Sequence, residues 1–240
     1  MILPDTIFLA APSYRSRAYA QAMVAANILP SHVLALPGTE PVWEGKEEVI
    51  VKWQQERAIS FHPGETLSDT FASFDVPITA AVSADVNSAN FINQLRTFSE
   101  PIVIFSGLSG VIVRAPALTI GKRFLHIHGG YAPQFRGSTA FYYSILDEGT
   151  IGATALWLTE VLDGGPIIDR RRYVPVPEIE VDRVQDPLAR SALLTDVLVR
   201  RQREGRYPLG AKDNINAQTY YVIHPVLKHI ALAKTGLLLP

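Results

Sequence analysis

Two periods of apolar residues alternate along the chain. Thr6 to Ala11 is apolar on both faces, the pattern of a strand in the middle of a parallel sheet, and Pro12 ends it. From Ser13 the spacing turns helical, with Tyr19, Ala22, Met23 and Ala26 on one stripe that stops before Pro30. His32 to Leu36 reads as a second strand. Strand, helix and strand in so short a span make a βαβ unit, and such units build parallel sheets with helices on both faces.

The same reading carries on downstream. Pro77 to Val82 is a strand, Ser83 the N-cap of a helix with Phe91, Leu95 and Phe98 inward, and Ile102 to Phe105 a further strand. That strand runs into Ser106-Gly107-Leu108-Ser109-Gly110, a turn at a strand's carboxyl end, where open α/β sheets hold ligands. Phe124 to His128 is the next strand. Ser138 is expected to cap a helix carrying Phe141 and Ile145 and ending near Gly149. Ala153 to Thr159 and Pro166 to Val174 pair as strands across an Asp163-Gly164-Gly165 turn, and after Pro177 a helix starts with Asp186 as cap and Pro187 in its first turn, reaching Gly205 with Leu194, Val197 and Leu198 inward. Periodicity does not settle Pro37 to Ser60. The expected fold is α/β: a Rossmann-like, mostly parallel sheet flanked by helices, with residues 1–177 as catalytic domain and 178–240 as a C-terminal helical extension packed on it.

Composition narrows the function classes. A net charge of -1 over 240 residues provides no bulk field for nucleic acid or an anionic membrane. Cysteine is absent, so disulfides and thiolate metal sites are excluded, and a reducing cytoplasm is the expected location. Asp5 stands where a signal peptide carries a basic residue, and the apolar stretch from Pro101 to Ile120 is interrupted by Ser106, Gly107, Ser109, Gly110 and Arg114. No membrane partner is expected. The basic run Arg200, Arg201, Arg203 and Arg206 suits a solvated helix end, where cations complement the dipole.

Reactive side chains concentrate between Phe124 and Asp169. His126 and His128, two apart in a strand, share a face. Gly129-Gly130 follows, and Asp163 sits on a permissive turn. Exposed polar residues at a strand end are the plainest account of one such histidine. Two sharper readings compete with it. The imidazoles and Asp163 could ligate a divalent ion in a hydrolase, or they could serve metal-free acyl transfer, which needs a donor aimed at a developing oxyanion and a base for the incoming amine.

The order of His128, Pro133, Arg136-Gly137, Gly152-Ala153-Thr154 and Asp163-Gly164-Gly165-Pro166-Ile167-Ile168 resembles the folate-dependent formyltransferase family. The resemblance covers about Ile102 to Arg172, and the N-terminal βαβ region in general shape only. It implies formyl transfer from N10-formyltetrahydrofolate to an amine without a metal, with His128 and Asp163 at the family's catalytic histidine and aspartate. His126 occupies the place of the family's asparagine, the donor to the formyl oxygen. The expected scheme gives His126 that oxyanion role, has His128 orient or deprotonate the amine, and has Asp163 relay protons while holding His128. For the folate donor the resemblance implies Ser106, Gly107 and Leu108 on one wall and Tyr131, Ala132 and Pro133 on the other, although this chain departs from the family's usual Ser-Leu-Leu-Pro there.

At 240 residues the additional tRNA-binding domain of methionyl-tRNA formyltransferases is not expected, and Ala11 to Ser16 lacks the glycine-rich phosphate loop of the purine enzyme. An amino-sugar nucleotide is therefore the expected acceptor, its anionic part met by Tyr14, Arg15 or Arg17. A hydroxyornithine-type amine is the competing acceptor, and a non-catalytic folate- or nucleotide-binding relative the competing class. A small-molecule partner is expected, no nucleic acid, and a homodimer is left open.

Overall fold

A computed structural model describes residues 1–45, 48–53 and 57–236. Strand β1 (Ile2–Ala10) lies between β2 (Leu29–Ala35) and β6 (Ile102–Ser106), parallel to both. Seven strands follow the order β10 (Ile167–Tyr173), β9 (Ile151–Trp157), β7 (Arg123–His128), β6, β1, β2 and β5 (Ile78–Ala80). Only β9 runs against its neighbours β7 and β10. This is the mostly parallel α/β sheet that the strand pattern predicts.

Alternation along β1 explains why its sequence is apolar throughout. Leu3, Phe8 and Ala10 enter one buried cluster and Ile7 and Leu9 another, so both faces are covered. The first face carries α1 (Tyr14–Ala25), α5 (Ala140–Glu148) and α6 (Asp186–Glu204); the second carries α3 (Ala89–Arg96) and α4 (Ala115–Leu118). Helix α6 packs on α1 and on β9. Among the described residues no helix is long and apolar enough to cross a membrane.

Several boundaries differ from the sequence reading, each for a local reason. Val49–Val51 and Ile59–Phe61 form an antiparallel pair, β3 and β4, with Val51 and Phe61 buried, which settles the legible part of Pro37 to Ser60; residues 46–47 and 54–56 of that span, and 237–240 of the extension, lie outside the described residues. A short helix α2 (Leu67–Phe71) follows, closed by a Thr66–Asp69 capping box.

Ser83 is not the cap of α3. Its hydroxyl accepts the Asp85 amide and Asp85 accepts the Asn87 amide, so two side-chain turns delay the helix until Ser88, which caps Phe91 N–H. Ser138 does not cap α5 either: the N-cap is Thr139, in a left-handed conformation, with its hydroxyl donating to the Ser138 carbonyl at 2.8 Å and accepting the Ile223 amide at 2.9 Å. Asp186 is the first residue of α6 and not its cap, because a π turn at Val181–Gln185, capped by Glu180, leads directly into the helix. The predicted end at Gly205 holds, with the left-handed geometry that favours glycine.

The C-terminal segment folds back onto residues 136–148. Thr219–Tyr220 (β11) pairs in parallel with Arg136–Gly137 (β8), and α7 (Pro225–Lys234) packs on α5.

Candidate active site

Strand β7 aims both histidines the same way because its register to β6 and β9 is fixed on both sides: His126 sits opposite Phe105 and Leu156, and His128 opposite Thr154. Asp163, on the turn after β9, reaches back to meet them. Its backbone is left-handed, with φ 46, a cost that Asp tolerates better than most residues. Asp163 Oδ2 accepts the Gly137 amide at 2.9 Å and lies 3.3 Å from His128 Nδ1. Asp163 Oδ1 lies 4.0 Å from His126 Nε2.

The outer nitrogens differ. His128 Nε2 donates to the Phe135 carbonyl at 2.8 Å, which ties that ring to the scaffold. His126 Nδ1 is buried with no hydrogen-bond partner among the described residues. His126 is the more accessible of the two histidines, at 13 % against 6 % side-chain exposure, and its ring meets Phe105 edge to face at 5.8 Å. Nε2 is thus its free working atom.

Burial pushes His126 down to about 3, helped by the Arg15 and Arg190 guanidiniums and opposed by Asp163. Near neutral pH it is an uncharged ring with one N–H to donate. Burial works to raise Asp163, but His128, His126 and the Gly137 amide hold its carboxyl below the usual range, so it is a carboxylate.

These three side chains floor a cavity of about 320 Å³. One wall is the loop after β6, Leu108 to Ile112, with Phe105 behind it; the opposite wall is Thr139, Phe141 and the returning segment Tyr220 to Val222. Arg15 and Arg190 complete it. Arg190 is held by Asp186 at 2.9 Å and by the Ile127 carbonyl at 3.1 Å. Arg15 donates to Ser106 Oγ at 3.1 Å and to the Gly107 carbonyl, and among the described residues it has no carboxylate partner. Burial and Arg190 lower its pKa.

Of the predicted ligand residues, then, the fold gathers His126, His128, Asp163, Arg15 and Leu108 at one cavity, with Ser106 and Gly107 behind Arg15. Tyr131, Ala132 and Pro133 do not line it. Tyr131 lies under the guanidiniums of Arg172 and Arg170, at 3.4 and 4.7 Å from ring centre, on the β10 side of the sheet. Ala132 is fully buried, and the bond to Pro133 is cis. Tyr14 is turned away, its hydroxyl on the Val42 carbonyl and its ring against Trp43, and Arg17 is buried in an ion pair with Glu40 at 2.7 Å.

The motif glycines and threonine now have physical reasons. A side chain at Gly152 would run into the backbone of Tyr131, and one at Gly137 would run into the Tyr220 carbonyl. Thr154 Oγ donates to Gly130 O at 2.6 Å and accepts Ala132 N–H at 2.9 Å, pinning the turn beside His128. Sequence reasoning missed Arg190, Asp186, Thr139 and Tyr220 to Val222. The Asp186/Arg190 spacing of four on a helix was a usable signal; the wall from Tyr220 was not, because it depends on a contact between distant segments.

No protein-family model matches the chain. Over 117 residues it is 24% identical to the methionyl-tRNA formyltransferase of Desulfotalea psychrophila, a match covering 47% of this chain and 36% of that protein. The match thus spans about a third of the length of the curated relatives. A sugar N-formyltransferase from a Shewanella species superposes with a TM-score of 0.59 at 14% identity, over 97% of this chain and 88% of the other. HypX from Aquifex aeolicus, in complex with tetrahydrofolic acid, gives 0.53 at 15% identity, over 93% of this chain and 30% of that one. The chain has the formyltransferase fold.

Proposed function

We propose that the protein is an N-formyltransferase that moves a formyl group from N10-formyltetrahydrofolate, a substrate of the reaction, to the primary amine of a small anionic metabolite, with an amino-sugar nucleotide as the acceptor. The observation that carries this reading is the facing pair of His126 Nε2 and Asp163 Oδ1, 4.0 Å apart on the floor of the cavity. A polar atom about 2.8 Å from each fits between them at roughly a right angle. A donor and a carboxylate flanking one reacting centre are what transfer to an amine requires.

The roles follow from the free atoms. His126 donates its N–H to the formyl oxygen as that oxygen gains negative charge. Asp163 Oδ1 takes a proton from the attacking amine and returns it to the departing nitrogen, so formyl–nitrogen bond formation and cleavage balance in protons. His128, tied through Nε2 to Phe135, acts by holding Asp163. This narrows the sequence expectation, in which His128 could itself deprotonate the amine. Phe105, Leu108 and Val111 offer an apolar wall that suits a flat ring system, and Arg15, which has no carboxylate partner among the described residues, supplies a charge for an acceptor's anionic group. Residues 178–240, expected as an extension of a 1–177 catalytic domain, contribute Arg190 and Tyr220 to Val222 to the same cavity.

The test is a formylation assay with formyltetrahydrofolate against a panel of amino-sugar nucleotides and amino acids, hydroxyornithine included. Release of tetrahydrofolate that depends on the amine supports the reading. Folded protein that binds folate yet formylates no amine overturns it in favour of a binding relative.

A further inference from the structure

His128 Nδ1 and Asp163 Oδ2 face each other at 3.3 Å, and the far nitrogen of the same ring, Nε2, donates to the Phe135 carbonyl at 2.8 Å, which keeps Nδ1 turned toward the carboxylate. His126 Nε2 stands on the other side of the same carboxylate, and one ligand atom from each of the three residues lies within 4.8 Å of the others.

We propose that His126, His128 and Asp163 bind a divalent late transition-metal ion such as Zn²⁺, and that this ion competes with formyl transfer. The competition rests on the function proposed above; the binding does not.

The geometry suits such an ion. Tetrahedral zinc with bonds of about 2.0–2.1 Å needs ligand atoms roughly 3.3 Å apart. The His128 to Asp163 separation already meets that, the His126 to Asp163 separation of 4.0 Å needs a contraction of about 0.7 Å, and the two imidazole nitrogens, within 4.8 Å of each other, need to close by up to about 1.5 Å through side-chain rotation. The outer contacts are those of a metal site: His128 gives its Nε2–H to a backbone carbonyl, and Asp163 is oriented by the Gly137 amide. The cavity leaves an open fourth position for water or another ligand.

The donor set also selects the ion. Two imidazoles and one carboxylate favour zinc and its neighbours over magnesium and calcium, which take oxygen ligands. Arg15 and Arg190 line the same cavity and add positive charge, which Asp186 offsets for Arg190 alone. The bound ion is therefore expected to carry an anion, hydroxide or a carboxylate, beside Arg15. Asparagine at position 126 would lack the imidazole donor, so the residue that departs from the formyltransferase pattern is the one that completes the set.

Chelator-stripped protein is titrated with zinc chloride against a chromogenic competitor, and metal retained after desalting is counted by mass spectrometry. Wild type and His62→Ala, which removes an exposed histidine 3.9 Å from Glu48, should each hold one ion per chain. His126→Asn and Asp163→Asn should bind at least about 100-fold more weakly, with thermal unfolding confirming that they fold. No retained zinc in wild type, or unchanged binding in folded His126→Asn, overturns the site. These readings use no formyl donor, so a failed formylation assay leaves them intact. In the assay itself, one equivalent of zinc should abolish turnover and EDTA restore it; turnover by zinc-saturated protein at the metal-free rate overturns the competition.

Discussion

His128 Nδ1 lies 3.3 Å from Asp163 Oδ2, and each group is fixed from behind, the imidazole by the Phe135 carbonyl and the carboxylate by the Gly137 amide. The pair is therefore positioned before any substrate arrives. Removing the carboxylate should abolish proton transfer while leaving donor binding: Asp163→Ala is expected to lower kcat by at least about 10²-fold with little change in folate affinity. Full activity in Asp163→Ala would sink the scheme.

His126 tests the oxyanion role. Asparagine can donate to the same oxygen, so His126→Asn in metal-free buffer should keep turnover within about tenfold of wild type, whereas His126→Ala, with no donor, should lose about 10²–10³-fold in kcat. Equal rates for the two variants would remove the donor role from this position.

Much of this floor was readable in the sequence because it depends on local rules. Period two in a strand puts His126 and His128 on one face, and the Asp163-Gly164-Gly165 turn between paired strands brings the acid back to them. The walls were less legible. Tyr131 was expected toward the folate, but the turn pinned by Thr154 carries it to the β10 side, where Arg170 and Arg172 cover it. That outcome depends on β10 lying beside β9 in antiparallel register, which no local signal states. Tyr14, Arg15 and Arg17 were indistinguishable as a basic helix start; helix rotation sends Arg17 to Glu40 and leaves Arg15 at the cavity.

Thr154 carries a stability prediction. It is fully buried, and its hydroxyl serves both Gly130 O and Ala132 N–H. Thr154→Val keeps the shape and strands two buried backbone groups, so denaturant unfolding should show a loss of about 1–3 kcal/mol. Thr154→Ser, which keeps the hydroxyl, should lose less.

Arg15 carries a specificity prediction. With no carboxylate partner among the described residues, and with the Ser106 hydroxyl and the Gly107 carbonyl to hold it, its charge is available to the acceptor. Arg15→Gln should raise KM for an anionic acceptor by about 10-fold or more, the worth of a charged hydrogen bond, with kcat little altered. A neutral amine should show no such rise. Equal effects on both acceptors would assign Arg15 to the scaffold.

The depressed pKa of His126 gives a pH signature in metal-free protein. Burial moves the folded group from 6.5 to about 3, so between those values the unfolded chain binds a proton that the folded chain does not. Stability therefore rises with pH across this window, by at most about 1.4 kcal/mol per unit from this residue, and its contribution is constant above the window. Asp163, whose folded pKa is also lowered, adds a slope of the same sign only near and below its ordinary value of 3.8. Thermal unfolding in EDTA from pH 4.5 to 8 should thus show a falling Tm below about 6.5 in wild type and a distinctly flatter profile in His126→Asn. Parallel profiles would mean that the His126 ring gains its proton in the folded state as readily as in the unfolded chain, and the neutral N–H donor assigned to it would lose its basis.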